Sequence, residues 1–178
     1  MNAAPRAPDD FLVPLTARDG KGEPRAPGPF PRIVHDAASD ERAPCRLDIL
    51  IVENDEQLAV MLRDIIELER AYRVTHIARD LAETLGVIAV HRPGLALVDL
   101  HLGGNATGIE VAAKTKEAGI PTLFSTANPL PFPVPELALG CLCKPYTCYS
   151  VAQALRIAEQ LIRGEPVNHD IPLELELY

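Results

Sequence analysis

Four groups of residues in this chain are of types that do chemistry, and each follows an apolar run. Glu53-Asn54-Asp55 follows Leu47-Asp48-Ile49-Leu50-Ile51-Val52, and Asp99 follows Leu95-Ala96-Leu97-Val98. Ser125-Thr126 closes a third run from Pro121, and Lys144-Pro145 follows Cys141-Leu142-Cys143. Acids beside a lone Asp make an oxygen-rich site for a hard divalent cation, where Mg²⁺ keeps several of its waters. A hydroxyl and an ammonium opposite them would hold the oxygens of an incoming phosphoryl group. Asp99 would then be the nucleophile, with the metal neutralising charge as phosphorus is attacked.

Such a gathering requires a parallel sheet, because ligands of α/β sheets bind beyond the carboxyl ends of the strands. The chain has the right rhythm for one. Leu47 to Val52 is nearly continuous in apolar character, as a strand buried on both faces must be. Leu58, Met61, Leu62, Ile65 and Ile66 then recur at helical spacing. Tyr72 to Ile77 predicts a second strand, and Leu81, Leu85, Ile88 and Ala89 a second helix, ended by His91-Arg92-Pro93-Gly94. After Leu95–Val98, the glycines at 103 and 104 with Asn105 make a loop before a helix over 108–118. Pro121 to Ser125 and Cys141 to Cys143 complete five strands, and Val151, Ala154, Leu155, Ala158 and Ile162 stripe a last helix. Strands alternating with helices in this way predict an α/β fold with helices on both faces of the sheet. The rhythm breaks at 127–139, where Pro129, Pro131, Pro133 and Pro135 forbid a regular helix and leave at most one turn near Glu136–Leu139.

The chain has 178 residues, which predicts one domain with tails. Eight of its seventeen prolines fall in residues 1–44, a stretch without apolar period and therefore expected to be disordered. Residues 165–178 hold four acids and no Lys or Arg, half of the net charge of −8. The Leu-Glu alternation there suits an extended strand that either adds to a sheet edge or hangs free. The negative charge argues against nucleic acid as a partner. No apolar run is long enough to span a membrane. The opening MNAAPRAPDD is unlike an export signal, and four cysteines make a poor disulfide framework, so a reduced, cytoplasmic chain is expected.

The segments LDILIVENDEQL, LALVDLHLGG, TLFSTAN and LCKPY, in this order on these strand ends, resemble the receiver domain of two-component response regulators. The resemblance covers 45–164 and implies a flavodoxin-like, doubly wound sheet of five parallel strands in the order 2-1-3-4-5. It implies Asp99 as phosphoacceptor, Thr126 as switch hydroxyl and Lys144 as partner of phosphate and carboxylate, with a cis Lys144–Pro145 bond. Mg²⁺ would be held by Asp99, by the residues after the first strand, Glu53 and Asn54, and by the backbone carbonyl of His101. The shortened or absent fourth helix resembles a variant group of receivers that the Phe124-Ser125-Thr126-Ala127 segment matches in part.

Three departures accompany the resemblance. Asn54 stands where a second acid is usual, and it reads equally as a helix cap with Gln57 three residues on. Asp55 could supply the missing acid only by a shift of one position. Cys141 occupies the place of an aromatic switch residue, and prolines replace the fourth helix, a usual output surface. Ser125 rivals Thr126 as the functional hydroxyl. The His101 side chain is expected to be an exposed loop group, the three later cysteines small hydrophobes rather than zinc ligands, and the glycines turn-formers rather than a nucleotide fingerprint.

The leading expectation is a single-domain response regulator that takes a phosphoryl group from a histidine kinase or phosphotransfer protein. It would act by binding a downstream protein, with a homodimer as one form, or as a phosphate sink, since only fourteen residues follow the last helix. The alternative is a pseudo-receiver of the same fold that binds partners and never phosphorylates. A phosphohydrolase is disfavoured because His101 stands where such enzymes carry a second Asp, and the chain is expected not to be an enzyme.

Overall fold

The computed structural model describes residues 46–103 and 107–178. The arm at 1–44 and the glycine-asparagine part of the loop at 104–106 lie outside the described residues. The chain runs β1 (Leu47–Val52), α1 (Glu56–Glu67), β2 (Tyr72–Ala78), α2 (Leu81–Val90) and β3 (Leu95–Val98). It continues through α3 (Gly108–Glu117), β4 (Thr122–Thr126), β5 (Gly140–Cys143), α4 (Cys148–Arg163) and β6 (Leu175–Leu177).

Alternation along β1 explains why helices must cover both faces. Ile49 and Ile51 enter one core with Leu62 and Ile66 of α1 and with Val151, Leu155 and Ala158 of α4. Leu50 and Val52 enter the other with Val111 and Ala112 of α3, and α2 adds Leu81, Val87 and Ile88 at its margin. Leu95 to Val98 and Thr122 to Thr126 are buried at every position, as central strands of a doubly covered sheet are. Right-handed crossover helices then set the strands parallel.

The sheet order is β2-β1-β3-β4-β5-β6. The first five strands are parallel, in the expected order. The expected count of five is corrected to six, because β6 adds antiparallel to the free edge of β5. The apolar positions of the tail explain this: Leu175 and Leu177 pack into one core and Tyr178 into the other.

No helix forms between β4 and β5. Residues 127–139 make a single turn in which the Leu137 and Ala138 N–H groups donate to the Val134 carbonyl. Leu130, Val134 and Leu137 pack against the core on the α2–α3 side, while Phe132 is 76% exposed. Alternate prolines thus replace a helix by an extended segment pinned at three apolar points.

Candidate functional site at the carboxyl ends of the strands

The site is assembled from the ends of β1, β3, β4 and β5. Glu53 and Asp99 stand one residue beyond β1 and β3 and are buried, at 3% and 7% exposure. Their backbones are fixed by the sheet, with Glu53 N–H donating to the Ala78 carbonyl and Asp99 N–H to that of Val52, each at 2.9 Å. Lys144 reaches between the two carboxylates. Its Nζ donates to Asp99 Oδ2 at 2.6 Å and to Glu53 Oε2 at 2.8 Å. The Lys144–Pro145 bond is cis.

The remaining carboxylate oxygens are also engaged. His101 N–H donates to Asp99 Oδ1 at 2.9 Å, and Asp55 N–H to Glu53 Oε1 at 3.2 Å. Burial alone would raise the Asp99 carboxyl, but Lys144 and the His101 N–H outweigh it and hold the carboxyl below its ordinary range. Burial dominates at Glu53 and raises it, with the lysine only partly offsetting the effect and the Asp99 charge adding to it. For Lys144, burial works downward, yet the hydrogen bonds to Asp99 and Glu53 prevail and keep the ammonium above its ordinary range. Two acids and one cation leave one surplus negative charge in a nearly dry site. That is the electrostatic setting a cation or an electrophile seeks.

The hydroxyls divide by side of the strand. Thr126 is buried, and its Oγ1 shares a hydrogen bond of 3.1 Å with His101 Nδ1, the donor depending on the imidazole tautomer. Ser125 turns the other way and meets Tyr146 Oη at 3.5 Å. Of the two, Thr126 is the hydroxyl linked to the loop that carries Asp99. The Lys144 N–H donates to the Thr126 carbonyl at 2.8 Å, tying the ends of β4 and β5 together.

One expectation is corrected here. Asn54 does not cap α1: the cap is Asp55, whose Oδ1 accepts the Leu58 N–H at 3.0 Å. A cap requires extended backbone followed by a free N–H two or three residues on, and Asp55, with ψ of 107°, provides it. Asn54 is instead exposed at the rim, with Nδ2 beside Gly103 of the loop after β3. The His101 side chain is exposed, as expected of a loop group, and its ring is also the partner of Thr126. Nothing in the sequence signals that contact, because Thr126 lies on the next strand. A second feature was legible only in part. Gly108 opens α3 against the Asp99 backbone, where any Cβ would collide with the Asp99 carbonyl oxygen, so glycine lets the helix close over the loop.

The donors suit a hard divalent cation. Two buried carboxylates converge on one ammonium, and Mg²⁺ is commonly held by one or two carboxylates with waters completing its shell. Among the described residues no group of three or more His, Cys, Asp and Glu side chains forms a metal cluster, so the carboxylate count stops at two. Cys141, Cys143 and Cys148 carry free thiols, and burial pushes that of Cys141 up to about 12. None of the described helices is long and apolar enough to cross a membrane.

No protein-family model matches the chain, and no curated protein matches it. Solved structures do. The signal receiver domain of a modulated diguanylate cyclase from Desulfovibrio desulfuricans is 26% identical, covering 67% of this chain and 98% of its own, with a TM-score of 0.56. The N-terminal domain of a response regulator/sensory box/GGDEF protein from Carboxydothermus hydrogenoformans is 25% identical over 66% and 97%, with a TM-score of 0.59. A response regulator receiver domain protein from Methanospirillum hungatei is 22% identical over 68% and 99%, at 0.60. The sheet and strand order of this chain match the CheY-like fold of the Methanospirillum domain.

Proposed function

We propose, from the premise that the fold is that of a response-regulator receiver domain, that this protein accepts a phosphoryl group on Asp99. The donor would be a phosphohistidine of a histidine kinase or phosphotransfer protein. Asp99 Oδ forms the new bond to phosphorus as the phosphorus–nitrogen bond breaks, and the departing imidazole keeps the electron pair and takes up a proton. The observation that carries this reading is the Asp99 carboxylate itself. It is buried, held below its ordinary range and paired at 2.6 Å with Lys144. Held below its ordinary range, the carboxylate is ionised at neutral pH, the form that a nucleophile requires.

Glu53 and Asp99, with the Asn54 amide oxygen and the His101 carbonyl, would hold Mg²⁺, which when bound supplies positive charge against the phosphoryl oxygens. Lys144 is placed to shift from carboxylate to phosphoryl oxygen, since its ammonium already bridges both acids. Thr126 would leave His101 and donate its hydroxyl to the same phosphoryl group. Because Lys144 is tied to Thr126 through the backbone, the two ends move together. A local charge then biases a two-state element, read by a downstream protein or spent in a phosphate sink.

A second reading has one observation in its favour. Lys144 neutralises both carboxylates in part without any ligand, and the acid expected beside Glu53 is an exposed Asn54. A pseudo-receiver that only binds partners needs nothing more. Phosphoryl uptake from acetyl phosphate, followed by intact mass with Mg²⁺ and with EDTA, separates the two. One phosphoryl per chain that requires Mg²⁺ and is lost in Asp99→Ala is expected; no gain in mass favours the pseudo-receiver.

A further inference from the structure

The edge of β5 is filled by the chain's own tail, and the manner of filling describes a binding groove. Leu142 pairs with Leu175, Cys141 with Glu176 and Gly140 with Leu177. At the two ends, Cys143 N–H donates to the Glu174 carbonyl at 2.7 Å and Tyr178 N–H to that of Leu139 at 3.1 Å. Leu175 is buried against the α1–α4 core, and Tyr178 packs on the opposite side beside Cys141. Gly140 makes the approach possible: a Cβ there would collide with the Glu176 carbonyl oxygen. The groove therefore has an apolar socket on each face, a backbone ladder between them and a glycine floor.

The strand in it is weakly fastened. It has three residues, and the segment 164–173 that tethers it contains no helix or strand. Ile171 and Leu173 of that tether are exposed, at 51% and 103%. The Tyr178 hydroxyl is buried without a hydrogen-bond partner of normal geometry, and its polar neighbour is the Cys141 thiol, a weak one. A short edge strand whose tether touches the core at Val167 but leaves Ile171 and Leu173 exposed, and which buries an unsatisfied hydroxyl, belongs to the part of a protein that opens first.

We propose that the β5 edge is a peptide-docking groove that residues 174–178 occupy in cis. Its partner is an extended protein segment of the same design, leucines at alternate positions, acids between them and a terminal aromatic, which displaces the tail by antiparallel strand addition. The occupant's chemistry is read from the segment already seated there. Glu176 is exposed and Glu174 half-buried, so the partner's acids lie at the surface while its leucines and aromatic fill the sockets. Groove and tail stand in the unmodified chain, so the inference holds or fails independently of phosphotransfer at Asp99.

The test uses the full chain and a fluorescent peptide with the sequence of residues 171–178, read by anisotropy. A tethered strand competes at roughly millimolar effective concentration. Leu175→Asp, which keeps the tail out of its socket, is therefore expected to bind the peptide about tenfold or more tighter than wild type. Adding Gly140→Val should abolish that binding. No binding to Leu175→Asp, or binding that survives Gly140→Val, overturns the proposal. A doubling of mass by light scattering in Leu175→Asp assigns the groove to a second copy and likewise overturns it. Hydrogen exchange on the wild-type chain keeps the inference testable if Leu175→Asp does not fold. The Cys143 and Tyr178 amides should exchange about a hundredfold or more faster than those of Ile51 and Leu97; equal protection means that the tail is not displaceable.

Discussion

The half of the sheet that supplies the acids and the half that supplies the hydroxyl and the lysine are built differently. β1, β2 and β3 each run into a helix closed by a side-chain cap, with Asp55, Asp80 and Thr107 accepting the N–H groups of Leu58, Glu83 and Glu110. Glu53 and Asp99 are buried, with their N–H groups held by the Ala78 and Val52 carbonyls; Glu53 lies just before α1, whereas a loop leads from Asp99 to α3 at Gly108. On the other half, β4 runs into the proline segment 127–139, and β5, which leads into α4 capped by Thr147 and Ser150, meets a three-residue strand from the tail. Thr126 and Lys144 belong to this less regular half. On the proposed function, Thr126 and Lys144, on the less regular half, are the groups that would follow a phosphoryl oxygen.

The charged contact between the halves is the lysine, and breaking it has the largest effect. Lys144→Met leaves two buried carboxylates facing each other, and removal of one partner from a buried pair costs about 3–5 kcal/mol. Urea unfolding at pH 7 in metal-free buffer measures it; an unchanged midpoint would mean that the halves are not coupled through charge. The pH dependence has a definite sign. Asp99 is held below its ordinary range, so the stability it adds is present above the usual value of 3.8 and is lost as pH falls through the lowered folded one. The gap in unfolding midpoint between wild type and Asp99→Asn should therefore stay level from neutral pH down to about that value and narrow only below it. Glu53, raised by burial and further by the Asp99 charge, acts in the opposite direction, so the comparison is made on a Glu53→Gln background.

A smaller pair of substitutions sharpens the contrast in construction. Asp55→Ala removes the cap of α1 and should cost about 1 kcal/mol. Phe132→Ser, on the exposed face of the proline segment, should change stability by less than about 0.5 kcal/mol. Equal losses at the two sites would show that the proline segment is packed as firmly as the capped helices. The smallest expected effect lies where the halves touch without charge. A double-mutant cycle on His101→Ala and Thr126→Val should return a coupling of about 0.5–1.5 kcal/mol for their hydrogen bond; strict additivity would remove His101 as the holder of the hydroxyl.

The half that supplies the acids was the more legible in sequence, and for a physical reason. Continuous burial of Leu47–Val52 and Leu95–Val98 leaves a period that reads as a central strand, and both were read to their last residue. Asp99 and Lys144 were legible because a charged group directly after a buried strand must meet a partner. What escaped depends on contacts between distant segments. The tail's alternation suggested a strand, but Leu175 and Leu177 do not say which edge they join. That is decided by the open edge of β5 and the bare floor at Gly140. Asn54 and Asp55 are both good caps by type, and only the backbone angle at Asp55 separates them. His101 pairs with a hydroxyl 25 residues away, beyond any local period.

The central claim is that one carboxylate, Asp99, becomes an acyl phosphate. The most direct measurement treats the full chain with acetyl phosphate and Mg²⁺, reduces it with borohydride and maps the peptides by mass. An acyl phosphate is then converted to the corresponding alcohol, so position 99 should read as homoserine and every other acid as unchanged. Unmodified Asp99, or reduction at Glu53 or Asp55 in its place, would contradict the account.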